Sequence, residues 1–255
     1  MQGILLVDKP AGWTSFDVVN YVRKMVATRE GKKPKNVKVG HAGTLDPFAT
    51  GLLILLVGKA YTRRAGEFSK LDKIYEVTMR LGEVSTTGDP EGVITPYVSV
   101  IPSEVEESRK PEMETTGSFD VAQDDIKVPT KGEIEAAFQK FTGEIEQIPP
   151  AYSAIKVNGQ RAYKLARAGK EVIIESRKIR VHSTQLAEYS YPEIKFVADV
   201  SSGTYIRTLV EDIGQALGAG AYTSELKRLQ IEKFSLSQAY SIKDPSILDN
   251  LSDTA

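Results

Sequence analysis

The stretch VGHAGTLDPFATGLLILLV, residues 39–57, joins a glycine-rich loop to a strongly apolar run. Pro47 fixes its own φ angle and favours an extended conformation for Asp46. Gly43 and Gly51 allow the backbone to approach a ligand closely. The apolar residues that follow are typical of a buried strand. We therefore expect a carboxylate on a stiff loop beside a buried strand, although an Asp before a Pro can also be a plain turn residue.

The composition indicates a globular chain of one large domain or two small ones. It has 255 residues, of which 41% are hydrophobic and 26% are charged, which are ordinary values for a soluble protein. There is no cysteine, so disulfide and thiolate chemistry are excluded, and the two histidines, His41 and His182, are too few for a multi-histidine metal site. No apolar run reaches the roughly 18 residues of a membrane helix, and the N-terminus does not resemble a secretory signal. We expect a cytoplasmic protein without a metal site.

The net charge of −1 conceals an uneven distribution. Residues 1–80 contain 14 Lys and Arg against 7 Asp and Glu, whereas residues 81–150 contain 5 against 15. Residues 151–180 are basic again, with 8 against 2. Because local patches determine phosphate binding more than the total charge does, nucleic acid is a candidate partner.

Hydrophobic periodicity predicts a mixture of helices and strands, of class α+β or α/β. Strands are predicted at 3–8, 74–81 and 194–200, and helices are predicted to begin at Thr14 or Ser15, at Thr130 and at Thr204. Tyr75 lies on the apolar face of its strand. Residues 222–240 are expected to form a short helix and a last strand, and residues 246–255 a frayed end.

Two segments differ from the rest of the chain in composition. Residues 99–129 are acidic, rich in Ser, Thr and Pro, and without a clear period, which indicates a mobile surface insertion. Residues 144–180 interleave rings and cations, among them Tyr152 and Lys156. This mixture suits stacking on bases and pairing with phosphates. A solvated basic helix is an equally good interpretation of the segment taken alone.

Arg207 has an unusual predicted position, in the first turn of the helix that follows Gly203. A cation is unfavourable there because the N-terminus of a helix carries a partial positive charge. A carboxylate partner would compensate for this, so we expect one close to Arg207.

Five segments, taken in order, resemble the TruB-type tRNA pseudouridine synthases. They are GILLVDKPAGWTS (3–15), KVGHAGTLDPFATGLL (38–53), KIYEV (73–77), IPPAYSAIK (148–156) and SSGTYIRTL (201–209). The resemblance extends from Gly3 to about Tyr240 and is interrupted by the acidic insertion. Each short motif is weak alone, and the assignment depends on their joint order and spacing.

The resemblance implies roles for individual residues. Asp46 of the GxLDPxATG loop matches the catalytic carboxylate, Arg207 of GTYIR matches its ion-pair partner, and Tyr75 of KxY matches the ring that stacks on the target base. His41 and Tyr205 match residues that line the nucleotide site.

Further substrate-binding residues follow from the same comparison. Leu226 matches the leucine of the LxRL element that packs on the flipped base, and Lys9 belongs to the DKPxG motif that supports the catalytic loop. Tyr152 and Lys156 are added from the basic segment. Purely structural interpretations stay open for Tyr75 and Leu226 as core residues and for His41 as a loop histidine.

The implied fold is α+β, with a mixed, largely antiparallel central sheet flanked by helices and an RNA-binding, thumb-like insertion. The pseudouridine synthase catalytic domain is expected to span 1–245, with 144–180 as its basic RNA-contacting segment. The C-terminal RNA-binding PUA domain common in the family is expected to be absent.

The implied activity is the cofactor-free isomerisation of uridine 55, in the T arm of tRNA, to pseudouridine. The target base would be flipped out, and a carboxylate nucleophile could attack either C6 of the base or C1′ of the sugar. The expected partner is the tRNA T stem-loop, with no membrane, no obligate protein partner and a monomeric state. Alternatives are the guide-RNA-dependent branch of the family, a tRNA-folding chaperone, and a hydrolase with a second carboxylate beside Asp46, which the matched segments do not supply.

Overall fold

The computed structural model describes residues 1–98, 128–153, 155–157 and 159–252. Nearly all of the expected insertion at 99–129 lies outside the described residues, as does the end of the expected frayed tail. The strands are β1 Gly3–Lys9, β2 Val39–Ala42, β3 Thr50–Val57, β4 Lys73–Leu81, β5 Glu83–Ser85, β6 Ile94–Pro96, β7 Gly143–Gln147, β8 Lys156–Val157, β9 Gln160–Arg161, β10 Arg177–Ser190, β11 Glu193–Val200, β12 Ala221–Ile231, β13 Phe234–Ser235 and β14 Tyr240–Ser241. The helices are α1 Ser15–Arg29, α2 Lys59–Thr62, α3 Ala65–Ser69, α4 Lys131–Lys140, α5 Ala162–Arg167 and α6 Ile206–Ala216.

One mixed sheet organises the described part of the chain. Its strand order is β14-β1-β3-β12-β4-β11-β10-β7, with β2 also paired to β3 and β13 to β12. The β1–β14 and β3–β12 pairs are parallel, and the other pairs are antiparallel. The α+β class and the largely antiparallel sheet are therefore confirmed.

Helices cover the sheet where its strands are most apolar. Helix α1 begins with a capping box in which Thr14 and Asp17 exchange side-chain and backbone hydrogen bonds, and it buries valines against β1 and β3. A capping box of Thr130 and Glu133 is also present at the start of α4, where the sequence predicts that a helix begins. Helices α4 and α6 pack on β4, β10, β11 and β12, so burial of their apolar faces stabilises the side of the sheet that holds the site.

The prediction of a short helix at the start of residues 222–240 was wrong. Residues 221–231 form the long strand β12, which lies between β3 and β4. Its charged residues are accommodated by cross-strand partners, since Lys227 lies opposite Glu76 on β4. Pairing on both edges therefore overrides a sequence that would also suit a helix.

The N-cap of α6 differs from the prediction, which placed the start of this helix at Thr204. Tyr205 is the N-cap residue, without a side-chain hydrogen bond, and the Thr204 hydroxyl has no partner among the described residues. Gln147 instead accepts a hydrogen bond from the Tyr205 backbone N–H at 2.8 Å and donates one to its carbonyl at 3.0 Å. A side chain distant in sequence therefore secures the entry to α6.

The expected frayed tail is largely packed. Ile247 is fully buried and Leu248 is 4% exposed, both in the core cluster beneath α1. The backbone of Ser252 exchanges two hydrogen bonds with Ile4 on β1. Apolar burial therefore holds this segment on the sheet as far as residue 252. Among the described residues, no helix is long and apolar enough to cross a membrane.

Candidate active site

The loop between β2 and β3, residues 43–49, carries Asp46 and is attached to the N-terminal segment at several points. Ser15 donates to the carbonyl of Leu45 at 2.9 Å and accepts from its N–H at 2.8 Å. The carbonyl of Pro47 accepts from the Gly12 N–H at 2.9 Å and from Lys9 Nζ at 3.1 Å. Hydrogen bonds on both sides of Asp46 therefore fix its backbone before any ligand binds.

Arg207 is the ion-pair partner of Asp46; the helix position of Arg207 predicts a carboxylate partner, and the family resemblance implies that it is Asp46. Its Nε lies 3.0 Å from Asp46 Oδ2, and the arginine side chain is only 4% exposed whereas that of Asp46 is 34% exposed. Arg207 Nη2 also donates to the Tyr152 carbonyl at 3.0 Å. The guanidinium is thus held inside the protein while the carboxylate opens to a cleft.

Asp89 is a second carboxylate on the same guanidinium, and the sequence reasoning missed it. Its Oδ2 lies 3.1 Å from Arg207 Nη1, and its side chain is 3% exposed. Its Oδ1 accepts hydrogen bonds from Thr87 Oγ1 at 2.6 Å and from the Glu91 N–H at 3.0 Å. The available signal was a second Asp-Pro step, in TTGDPEG, within the otherwise acidic block of the sequence.

The electrostatics of Asp46 combine opposing effects. Burial raises its pKa above the ordinary value, the Arg207 charge lowers it, and the nearby Asp89 charge raises it again. The net direction is upward. Arg207 therefore only partly offsets the burial of a carboxylate that must be ionised to act as a nucleophile.

Glu211 lies one helical turn after Arg207 and adds a third acidic group. Burial raises its pKa to about 7, with further upward contributions from Asp212 and Asp89 and a downward one from Arg207. A Cβ added at Gly88 would collide with the Glu211 carboxyl group. Glu211 therefore packs directly against the turn that carries Asp89.

The cleft in front of Asp46 has a volume of about 700 Å³. Tyr75 and Leu226 line it and are each only 7% exposed. They come from the neighbouring strands β4 and β12, where Leu226 lies opposite Val77. The cleft therefore offers an aromatic ring and an aliphatic side chain close to the carboxylate.

The rim of the cleft brings together rings and cations from distant segments. Tyr152 and Tyr205 both line the cleft. The Arg177 guanidinium lies 4.9 Å from the centre of the Tyr205 ring and donates to the Gly203 carbonyl at 2.7 Å. Tyr163 and Arg167 of α5 also belong to the lining.

Three of the expected substrate-binding residues are not part of the cleft lining. Lys9 is fully buried and donates to the carbonyls of Pro10, Trp13 and Pro47, so it supports the loop from behind and does not face a ligand. His41 is on β2 with its Nδ1 unpartnered among the described residues, and burial lowers its pKa. Lys156 is exposed on β8, beyond the lining.

The arrangement defines a class of protein. An aspartate neutralised by a buried arginine, opposite a tyrosine and a leucine on a mixed sheet, is suited to nucleophilic attack on a planar ring that enters from solvent. The overall structure resembles the Cbf5 chain in the Nop10–Cbf5 complex of the archaeal box H/ACA sRNP, with a TM-score of 0.59 and 23% identity over 95% of this chain. This chain spans about half of that one, 52%. This likeness shows that the two chains share a fold.

The sequence comparison is more specific. Residues 29–120 and 105–206 match the N-terminal domain of the TruB family pseudouridylate synthases, and residues 207–250 match the tRNA pseudouridylate synthase B C-terminal domain. The tRNA pseudouridine synthase B of Thermobifida fusca is 39% identical over 95% of this chain and 74% of its own length. That of Opitutus terrae is 40% identical over 95% of this chain and 86% of its own length. The chain belongs to the TruB family of pseudouridylate synthases.

Proposed function

We propose that this chain isomerises uridine 55, in the T arm of tRNA, to pseudouridine. The observation that carries the proposal is the ion pair of Asp46 and Arg207 at the base of a cleft lined by Tyr75 and Leu226. The similar proteins from Thermobifida fusca and Opitutus terrae are named tRNA pseudouridine synthase B, which supports tRNA as the substrate.

The reaction is an isomerisation, so the substrate and the product contain the same atoms. The C1′–N1 bond breaks, the uracil turns, and a C5–C1′ bond forms, while C5 loses one proton and N1 gains one. Asp46 acts as the nucleophile, at C1′ of the sugar or at C6 of the base, and leaves again when the new bond has formed. No electron transfer occurs, so the chemistry is within reach of side chains alone.

Base flipping brings the uridine to Asp46. A base within a folded RNA cannot reach a carboxylate at the bottom of a cleft, so it must leave its stack. The Tyr75 ring then stacks on the exposed face and Leu226 packs against the base. The proton on C5 leaves to water or to the Tyr75 hydroxyl group.

The basic segment 144–180 contributes affinity for the RNA. Tyr152 offers a ring face to a neighbouring base, and Lys156 offers an exposed charge to a phosphate. Tyr205, which lies outside this segment, adds a second ring face. Lys9 and His41 act from outside the lining, on the loop that carries Asp46.

We further propose that the enzyme is cytoplasmic and acts as a monomer without a cofactor.

The proposal is tested with a T-arm stem-loop transcript and with full-length tRNA, comparing the wild type with Asp46→Asn. We expect pseudouridine at one loop uridine with the wild type and none with the variant, while both bind the RNA. Binding by the wild type without product on either RNA would favour a chaperone without catalysis. Equal activity of the variant would show that another group is the nucleophile.

A further inference from the structure

Arg228 is a fully buried cation behind the loop that carries Asp46. Its Nε donates to the Leu52 carbonyl at 2.7 Å, Nη2 donates to the Gly43 carbonyl at 3.1 Å, and Nη1 donates to the Thr44 carbonyl at 3.4 Å. Two of these carbonyls precede Asp46 and one follows it. A single side chain therefore ties the start of the loop to β3, the strand that follows the loop.

The charged side chains around Arg228 do not stabilise its positive charge. Among the described residues, no carboxylate forms an ion pair with it, and its nearby charged or titratable groups include Lys9, Lys73 and His41. Burial is the main cause that lowers the pKa of Lys9 and of Lys73 to about 8, and the Arg228 charge lowers both further. An apolar side chain of similar size often serves stability as well as a buried charge does. The guanidinium therefore has a geometric role here.

The backbone of Arg228 also joins the two halves of the site. On β12 it lies opposite Tyr75 of β4 on one edge and opposite Gly51 of β3 on the other. Gly51 has a φ of +98°, and a Cβ at this position would overlap the Arg228 backbone. The strand that carries Arg228 thus lies in contact both with the base-stacking residue and with the end of the catalytic loop.

We infer that Arg228 is a positioning residue for the proposed isomerisation. It sets the distance and the direction between the Asp46 carboxylate and the Tyr75 ring, through two hydrogen bonds to the loop, one to β3, and the register of β12. Arg228 belongs to the lining of the cleft but is fully buried, so it acts on the bound RNA through the loop and through β12. The inference rests on the proposed function, because the quantity that it controls is the rate of that reaction.

The test compares Arg228→Lys and Arg228→Met with Val22→Ala. Lysine keeps the charge and loses the three-pronged hydrogen bonding, and methionine loses both. Val22 is a fully buried residue of α1, in a core cluster that includes none of residues 43–49, so we expect its truncation to lower stability alone. The measurements are single-turnover rate at saturating stem-loop RNA, RNA affinity, and melting temperature.

We expect Arg228→Lys to lower the single-turnover rate about 30- to 100-fold, since a misplacement of about 1 Å can cost a factor of 100. The RNA affinity should stay within about threefold of the wild type. Arg228→Met should lower the single-turnover rate at least as much as Arg228→Lys does. Val22→Ala should keep the wild-type rate below its melting temperature. The acid limb of the pH–rate profile of Arg228→Lys should not move, because the charge is retained.

A wild-type rate for Arg228→Lys would overturn the inference, as would a rate loss that Val22→Ala reproduces at equal melting temperature or that reduced affinity explains. If both Arg228 variants fail to fold, Gly51→Ala decides. It keeps the guanidinium and displaces the backbone against Arg228, so a folded variant with the wild-type rate would refute the positioning role. An inactive wild type would instead refute the proposed function.

Discussion

The floor and the rim of the cleft are built in different ways. The floor, residues 43–53, is held by Lys9, Ser15, Arg207 and Arg228, all of them nearly or fully buried. Most of the rim is formed by residues 148–176, whose described part has two two-residue strands and one six-residue helix. Within it, Ile148 and Ile173 are 61% and 80% exposed. The groups assigned to chemistry are fixed in advance, whereas those assigned to RNA binding lie on a lightly packed segment.

This contrast fits the two tasks. A reacting carboxylate must stand within a fraction of an ångström of its target, so it gains from a rigid surround. A surface that follows an RNA backbone gains from exposed charges and rings. Substitutions in the floor should therefore change the rate, and substitutions in the rim should change the affinity.

The largest effect is expected from Arg207→Met. The substitution leaves Asp46 and Asp89 without their cation, and breaking a buried ion pair in this way costs about 3–5 kcal/mol. We expect a large fall in the free energy of unfolding, measured by urea denaturation, and no detectable pseudouridine. A variant with near-wild-type stability would show that neither carboxylate depends on Arg207.

Asp89→Asn should have a smaller and more selective effect. The amide keeps hydrogen-bonding capacity toward Arg207 but removes a negative charge that raises the pKa of Asp46. We expect a rate loss of about 10- to 100-fold from the weakened hold on Arg207. The acid limb of the pH–rate profile should move to lower pH, because Asp46 then ionises more easily. A shift to higher pH would contradict this assignment of the charges.

Glu211→Gln should change how stability depends on pH. The pKa of Glu211 is raised from 4.5 to about 7 in the folded protein, so its contribution is most favourable below pH 4.5 and is lost as pH rises through about 7. The wild type should lose about 1–3 kcal/mol of stability across that range from this group. Urea denaturation at pH 5 and pH 8.5 should show a smaller difference for Glu211→Gln. An identical difference would show that Glu211 does not titrate there.

The smallest effect is expected at the rim. Lys156→Ala should weaken RNA binding about threefold to tenfold, with a shallower dependence of affinity on salt, and should leave the single-turnover rate at saturating RNA unchanged. Lys243→Ala, another exposed lysine in the C-terminal segment, is the matched control and should alter neither quantity. A lower saturated rate for Lys156→Ala would remove the distinction between floor and rim.

Local sequence signals predicted several features of the fold correctly. The helix starts at Thr14 and Thr130 and the alternation of β4 depend on residues a few positions apart, so they can be read directly. The strand β12 could not be predicted in this way. Its identity as a strand depends on two neighbours, β3 and β4, that pair with both of its edges.

The candidate site shows the same division. The carboxylate expected near Arg207 followed from the unfavourable position of a cation at a helix start, and Asp46 lies at that place. Asp89 and Arg228 lie in short motifs, an Asp-Pro step and the LxRL element, but neither motif indicates which residues they contact. Each contacts a residue more than one hundred positions away in the sequence. Asp89 contacts Arg207, and Arg228 contacts Gly43 in the loop.

The sequence by itself determined the family and singled out Asp46, Arg207 and Tyr75 as candidate site residues, because short motifs in a particular order carry that information. Only the tertiary structure decided which groups surround them. The packing of β12 between two strands buries Arg228 behind the catalytic loop, and the turn before β6 places Asp89 on Arg207. The physical reason is that burial and hydrogen bonding depend on distance in space, which spacing along the chain does not specify.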